Sequence, residues 1–431
     1  MKRICVIVAI MASSAIICAQ QADQYGFSSI IEPYRWADNT PKGCPFKPSK
    51  TFSEIVFTGR FANYTNADTW YPSWADDDCL YSPWTDGYLL NDSLDHYYPY
   101  RYPDPEHSCY SLHRTDLLGN HRNPSTAQAK IVGNDPMNLQ VIDLKPEIEG
   151  NPAPYGGRYP CGSLVHNGVW YYGTYCLTNR SDSNCNGVGW TQFGPFVGFR
   201  ISTDYGKTWS DSPCTPSQPL FGENPAVAPI KIGAPHFVDF GKNMQYSPDG
   251  YAYLVAHGAS TMEAWNGWIQ GDEIYLIRVR PSVENINNPK AYEFYGGTDK
   301  KGRPVWTKDF SAIRPLLKWD GRLGCVTITY NPGIKKYLMC ITRGYRNLPW
   351  ENGRYDTMIL ESDHIDRDWR LLKYLDRFGP VAYFVNIPSK FISPDGKTMW
   401  LCYSANWHNK HAFGAPYGSQ YSMSLHEFYI E

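Results

Sequence analysis

One kind of turn recurs along this chain, and its spacing limits the fold more than any other feature. Residues 69–74 run through Ala75-Asp76-Asp77-Asp78 into 79–84. Residues 161–166 reverse at Asn167-Gly168 into 169–174. Residues 236–240 lead to a longer turn that ends in Ser247-Pro248-Asp249-Gly250, then 251–256. Residues 325–330 reverse at Asn331-Pro332-Gly333 into 336–342, and 389–392 reverse at Ser393-Pro394-Asp395-Gly396 into 398–404. Asn-Gly, Asp-Gly and Asn-Pro-Gly between β-rich runs mark hairpins, because glycine supplies the positive φ that tight turns need. The turns fall near residues 78, 167, 249, 333 and 395. Regular recurrence on this scale marks a repeat architecture. Five units spread along the chain predict an all-β, five-bladed β-propeller with innermost strands at 69–74, 161–166, 236–240, 325–330 and 389–392. A β-sandwich with coincidental spacing is the competing architecture.

Composition agrees with this reading and removes other classes. Aromatic residues make up 15% of the 431 residues and charged residues only 19%. A disordered chain shows the reverse, and a helical bundle is rich in Ala, Leu, Glu and Lys. Forty Lys+Arg against 42 Asp+Glu give a net charge of −2. That balance predicts no nucleic-acid partner.

The first nineteen residues have the pattern of a secretory signal peptide. Lys2 and Arg3 precede a short apolar run, and Ala19 suits a cleavage site. Cys18 raises a lipoprotein signal, but Ile17 stands where a lipobox has a small residue. The expectation is a secreted or periplasmic protein with no membrane span, and a monomer. Residues 20–50 read as an N-terminal arm and 51–431 as the propeller. The Pro-rich stretch 97–160 reads as an irregular excursion between the first two blades. A terminal strand at 422–430 is expected to complete a blade with a strand near 52–57.

Twelve cysteines less Cys5 and Cys18 leave ten in the mature chain. An even number in an exported chain predicts disulfides, at least three, with Cys176–Cys185 and Cys325–Cys340 as local pairs. Asn63, Asn91 and Asn179 begin glycosylation sequons.

Glycosidic cleavage takes two carboxyl groups flanking the bond, one as acid and one as base or nucleophile. In a propeller they come from inner-strand ends that converge on the central funnel. Asp68 opens the first inner strand and Asp86 closes its partner, so both are catalytic candidates. Glu223, before the third inner strand, and Glu361, on a fourth-blade strand, are the alternatives. Asp76, Asp77 and Asp78 lie at the far end and read as turn formers. His236, His257, Arg158 and Lys390 are candidates for holding substrate, and Trp70 for stacking on a sugar ring. A calcium ion on the axis is conceivable, though no ligand loop is recognisable; no other cofactor or metal is expected. The partner implied is a polysaccharide or oligosaccharide.

The segment Ser202-Thr203-Asp204-Tyr205-Gly206-Lys207-Thr208-Trp209 resembles the Asp-box of sialidases and other propellers. In that motif the Asp and Ser/Thr tie a hairpin turn and the Trp packs beneath it. Its role is structural. A sialidase would also need an early Phe/Tyr-Arg-Ile-Pro, which Thr58-Gly59-Arg60-Phe61 does not match. No Gly-x-Ser-x-Gly elbow of a serine hydrolase occurs.

Several motifs in order resemble one family of secreted five-bladed propellers. It was long labelled a domain of unknown function and contains or neighbours the endo-D-arabinanases. The matching stretches are Trp70-Tyr71-Pro72-Ser73-Trp74-Ala75-Asp76-Asp77-Asp78, Gly233-Ala234-Pro235-His236-Phe237-Val238, Asp272-Glu273-Ile274-Tyr275, Thr329-Tyr330-Asn331-Pro332-Gly333 and Pro388-Ser389-Lys390-Phe391. The first blade is also similar to that of arabinanase and β-xylosidase propellers. There an Asp about eight residues before the hairpin acts as general base, the position Asp68 holds ahead of Asp76. The resemblance implies a glycoside hydrolase acting on furanosides such as arabinan. One departure stands out. Relatives often carry a Glu shortly before the Pro-Ser/Thr-Lys motif, whereas 379–387 contains no acid and has Tyr383 near that place. A carbohydrate-binding propeller without turnover is the alternative function.

Overall fold

The structure is a computed structural model that describes residues 27–88, 125–149, 157–177, 193–262, 264, 269–344, 355–405 and 415–431. Five antiparallel sheets form the blades of a propeller. Blade 1 holds β3 (Asn66–Asp68), β4 (Ser73–Trp74), β5 (Leu80–Tyr88), β6 (Ser125–Val132) and β7 (Gln140–Glu149). Blade 2 holds β8 (Gly157–His166), β9 (Val169–Leu177) and β10 (Phe193–Ser202). Blade 3 holds β11 (His236–Phe237), β12 (Ala252–Gly258), β13 (Gly271–Val279), β14 (Glu293–Thr298), β15 (Pro304–Thr307) and β16 (Leu317–Leu323). Blade 4 is β17 (Val326–Asn331), β18 (Lys336–Arg343), β19 (Asp356–Ser362) and β20 (Arg370–Leu375). Blade 5 runs β21 (Tyr383–Asn386), β22 (Thr398–Ser404), β23 (Met423–Ile430), β2 (Ile55–Tyr64) and β1 (Phe27–Ile30).

Blade 5 closes the ring, because β23 from the end of the chain pairs with β2 from its beginning. Ile55 lies opposite Ile430 and Tyr64 opposite Met423. Phe57, Phe61 and Phe428 are fully buried there, and burial of each Phe contributes about 1.5–3 kcal/mol. The N-terminal arm continues the embrace. Its β1 extends blade 5, while Ser49 donates to Glu361 on blade 4 at 3.0 Å.

A second closure runs around the axis, one hydrogen bond or more per junction. Val165 N–H donates to Ser73 Oγ at 2.9 Å, joining blades 2 and 1. Gly162 N–H donates to Pro235 O at 2.7 Å, joining blades 2 and 3. Asp239 N–H donates to Ile328 O, and Tyr330 N–H returns to Asp239 O, joining blades 3 and 4. The hydroxyls of Thr327 and Thr329 donate to the carbonyls of Val385 and Ile387 on blade 5. Asn386 Nδ2 donates to Trp70 O at 3.0 Å and completes the circle. Buried backbone groups need such partners, so the inner strands hold one another in register. Gly162 is required at its junction, since a Cβ there would sit 2.6 Å from Pro235 O.

Three expectations about the chain need correction. The fifth inner strand is Tyr383–Asn386, not 389–392. Pro388 has no N–H to give a ladder, Asp239 captures the Ser389 N–H, and Ser389–Phe391 coils into one 3-10 turn. The first inner strand is broken between β3 and β4, where Tyr71 N–H donates to Ser82 Oγ instead of a backbone carbonyl. The stretch 97–160 is not wholly irregular, since 125–149 supplies the two outer strands of blade 1, with Ala127, Gln128, Ala129 and Ile131 buried.

The cysteines also differ from expectation. Cys44, Cys79, Cys161, Cys214, Cys340 and Cys402 are thiols. The remaining four of ten allow two bridges at most, so three are not reached. Cys340 lies opposite Thr327 and Ile359 in blade 4 and does not bridge to Cys325. Cys109 and Cys185 lie outside the described residues. The Asn63 sequon is closed to modification, because that side chain is buried and accepts from Ser422 and Ser424. Asn91 and Asn179 lie outside the described residues. No described helix is long and apolar enough to cross a membrane.

Candidate functional site

Every inner strand runs in the same sense, so the axis has two ends. Asp68, the residues before His236 and Tyr383 mark the end where inner strands begin. Asp78, Asn167, Asn331 and Lys390 mark the end where they turn back.

At the first end Asp68 is buried, 8% exposed. Tyr383 of blade 5 donates its hydroxyl to Asp68 Oδ2 at 2.8 Å, and the Thr69 hydroxyl donates to Oδ1 at 2.9 Å. The backbone around this pair is strained. Thr65, Thr69, Val381 and Phe384 all have positive φ, between 52° and 84°. None is glycine and three are β-branched, for which this region is a genuine outlier. Each such residue costs on the order of 1–3 kcal/mol and persists only where the surroundings enforce it. The strain brackets both partners of the Asp68–Tyr383 bond.

Beneath them lies an axial cavity lined by inner strands of all five blades, among them Tyr71, Ser163, His236, Asp239, Thr327 and Asn386. Its volume is about 40 Å³, room for a few waters at roughly 10–15 Å³ each. The His236 ring lies against Tyr71, tilted by 40° with centroids 4.0 Å apart. Both His236 ring nitrogens and the Tyr71 hydroxyl are buried without a protein partner. Burial, and then His257, hold His236 down to about 3, so it is neutral at physiological pH. Burial pushes the Tyr71 phenol well up, and the nearby Cys325, Tyr175, Cys161 and Asp68 add to that. A calcium ion takes six to eight oxygen ligands. Among the described residues no group of three or more His, Cys, Asp or Glu side chains converges to supply them.

The other sequence candidates are dispersed. Asp86 follows Thr85, which lies directly opposite Asp68 on the next strand; the Asp86 side chain lies outside the described residues, as does that of Arg158 on β8. Glu223 sits under the loop before blade 3, accepting from the N–H groups of Lys231 and Ile232 at 2.7 and 3.1 Å. Burial pushes it up to about 7, against those two bonds. Glu361 is on the third strand of blade 4, paired with Lys336 at 3.0 Å. Trp70 is fully buried, parallel to Trp84 inside blade 1. His257 is buried at the end of β12, the second strand of blade 3. Lys390 is at the opposite end of the axis from Asp68, donating to the Asp78 carbonyl. Asp68 and His236 are thus the two candidates with described side chains on the inner strands near the first end.

Sequence reasoning missed Tyr383 and Thr69 as members of this site. The signal for Tyr383 was present, since it stands near the place where relatives carry an acid. Nothing in the sequence announces a positive φ at Thr69.

No protein-family model matches the sequence, and no curated protein does. Solved structures do match. One is a provisionally assigned hydrolase from Bacteroides ovatus, 12% identical with a TM-score of 0.47, covering 91% of this chain and 97% of that one. A GH43 β-xylosidase/α-arabinofuranosidase from a compost microbial metagenome, in complex with xylotriose and calcium-free, is 10% identical with a TM-score of 0.43, covering 91% and 95%. The catalytic domain of a GH62 α-L-arabinofuranosidase from Coprinopsis cinerea is 10% identical with a TM-score of 0.41, covering 92% and 96%. Likeness of this degree does not bear on what this chain binds or cleaves.

Proposed function

We propose that the protein is an exported, glycoside hydrolase-like propeller acting on a polysaccharide at the Asp68 end of its axis. The observation that carries this reading is Asp68 itself. It is a buried inner-strand carboxylate, held by two hydroxyl donors and flanked by strained backbone, and strain of that kind collects at functional sites. Hydroxyl donors to both oxygens favour the ionised form, which suits a general base that takes a proton from water. Asp86, one residue beyond the position opposite Asp68, is the first choice for the acid. Arabinan-like furanosides are the substrate class to try first, because the first-blade motif is similar to that of arabinanase propellers.

One observation favours a binding module instead. Among the described side chains, the inner-strand starts of blades 2, 4 and 5 offer Tyr159, Cys161, Cys325 and Tyr383, and no second carboxylate. A funnel of this kind holds a glycan without cleaving it. The test is a panel of polysaccharides scored for both cleavage and retention on the immobilised protein. Release of reducing ends by wild type and not by Asp68→Asn supports the hydrolase. Retention without release supports the binding module. Neither release nor retention across arabinans, xylans and galactans removes the proposal.

A further inference from the structure

We propose that Tyr383 is a positioning residue for Asp68, a blade 5 hydroxyl that fixes the blade 1 carboxylate in orientation and keeps it ionised. The inference rests on the functional reading above and deepens it. Tyr383 is 1% exposed and sits on the first residue of β21, so its ring cannot swing away without opening the blade. Its hydroxyl reaches across the blade 5–blade 1 junction to Asp68 Oδ2, while Thr69 holds Oδ1. Val381 and Phe384, two residues before and one after Tyr383, both have positive φ. The chain therefore departs from ordinary backbone on both sides of the residue whose hydroxyl meets Asp68.

The sequence context explains why a phenol stands here. An acid at this position would face Asp68 directly, and two carboxylates that close resist simultaneous ionisation. A tyrosine supplies a donor with no charge of its own. Among the described side chains, the other titratable groups facing this spot are Tyr71 on blade 1, Tyr175 and Cys161 on blade 2, His236 on blade 3 and Cys325 on blade 4. Burial raises both phenols and both thiols. Burial keeps His236 neutral above about 3. Between pH 4 and 8 these neighbours hold fixed charge states; Asp86, proposed above as the acid, is the other carboxyl to distinguish, so the Asp68 midpoint is read from its own resonance.

The experiment labels aspartate carboxyl carbons with ¹³C and follows the Asp68 resonance, identified by its loss in Asp68→Asn, against pH. A hydrogen bond to a charged group is worth roughly 1.5–3 kcal/mol, and one pH unit corresponds to about 1.4 kcal/mol. Tyr383→Phe is therefore expected to move the Asp68 midpoint up by about one to two units. On any cleaved substrate, the acid limb of kcat/KM moves by the same amount. An unmoved midpoint in a folded Tyr383→Phe protein overturns the proposal. Should that variant not fold, 3-fluorotyrosine at position 383 keeps the shape and strengthens the donor, and the midpoint must then fall; no change overturns the proposal equally. A wild type that cleaves nothing while the midpoint still moves supports the pairing and overturns only the hydrolytic reading.

Discussion

The two ends of the axis are built from the same inner strands and are chemically opposite. At the hairpin end nearly every charge has a mate. Asp77 takes Lys130 at 2.9 Å and the Tyr81 hydroxyl at 2.7 Å. Asp78 takes Lys242 at 3.1 Å and the Trp74 indole at 3.0 Å. Asp76 accepts from Tyr205, and Asn167 and Asn243 bond each other across blades 2 and 3. Asp239 gathers the Ser389 N–H, the Ser389 hydroxyl and the Gly241 N–H. At the strand-start end the backbone is strained around Asp68 and Tyr383. In the cavity below, Tyr71 and His236 keep polar atoms with no protein partner. Positive-φ residues occur at both ends, Asp78, Asn167, Asn243 and Met244 among them at the hairpin end; the difference is that matched charges stitch the blades there, whereas the β-branched outliers lie around Asp68 and Tyr383. The eye-catching acidic run Asp76-Asp77-Asp78 therefore belongs to the clamp, and Asp68 to the site in the function proposed above.

Four substitutions test that division, beginning with the largest effect. Asp68→Asn preserves shape and one acceptor, so melting should change little while turnover on a cleaved glycan drops about 10²-fold or more. A variant that keeps its rate would place the chemistry elsewhere. Asp239→Ala addresses the clamp. It strands three buried donors, and each buried donor left unmet costs about 1–3 kcal/mol. Denaturant unfolding should show a loss of at least that size, with glycan retention at the far end unchanged in the folded protein. Loss of retention without loss of stability would erase the distinction between the ends.

Glu223 gives a pH signature. Its carboxyl is raised from the usual 4.5 to about 7. Below pH 4.5 the folded and unfolded chains both keep the proton. As pH rises toward 7, the unfolded chain releases it and the folded chain does not, so the group's stabilising share is lost across that window. Melting temperature should fall between pH 4.5 and 7 more in wild type than in Glu223→Gln; parallel curves would refute the assignment. The smallest effect belongs to Asp204 on the exposed turn of blade 2. Hydrogen bonds from Thr208 N–H and hydroxyl and from Ser202 hold it down to about 2 from the usual 3.8. Its stabilising share is present above pH 3.8 and lost as pH falls toward 2. Asp204→Asn should blunt the acid unfolding limb slightly and leave glycan turnover untouched, and a change in turnover would contradict its structural role.

The ring was legible in the sequence because its turns are local chemistry. Asn331-Pro332-Gly333 and Ser393-Pro394-Asp395-Gly396 specify reversal within four residues whatever surrounds them. Gly333 and Gly396 also pack backbone against backbone, a Cβ on Gly333 falling 2.3 Å from Gly396 N. The fifth inner strand misled because 389–392 precedes such a turn as a strand would, while the bond that redirects it comes from Asp239, distant in sequence. Strand β6 was overlooked because Ala127 and Ala129 carry little hydrophobic signal, and β7 because Pro146 interrupts it. The site was only half visible. Asp68 could be found by its distance from a turn, but its partner Tyr383 is 315 residues away. No local pattern links the two. The thiols show the same limit, since compartment predicts oxidation while the blades hold Cys161, Cys340 and Cys402 in separate cores.

The pairing of β23 with β2 sets an order on biogenesis. The hydrogen bond from Ser422 to Asn63 spans 359 residues of chain. At a ribosomal pace of 5–20 residues per second, the early strand waits roughly 20–70 s for its partner. Through that interval one edge of β2 is open, and an open apolar edge is a template for pairing with another chain. The four inner blades can form in sequence as they emerge, but the fifth cannot exist until the final strand is made. Rejoining the chain so that it begins between two blades, with the Ile430 end of β23 linked to the Ile55 start of β2 as a hairpin, would turn the slowest contact into a local one.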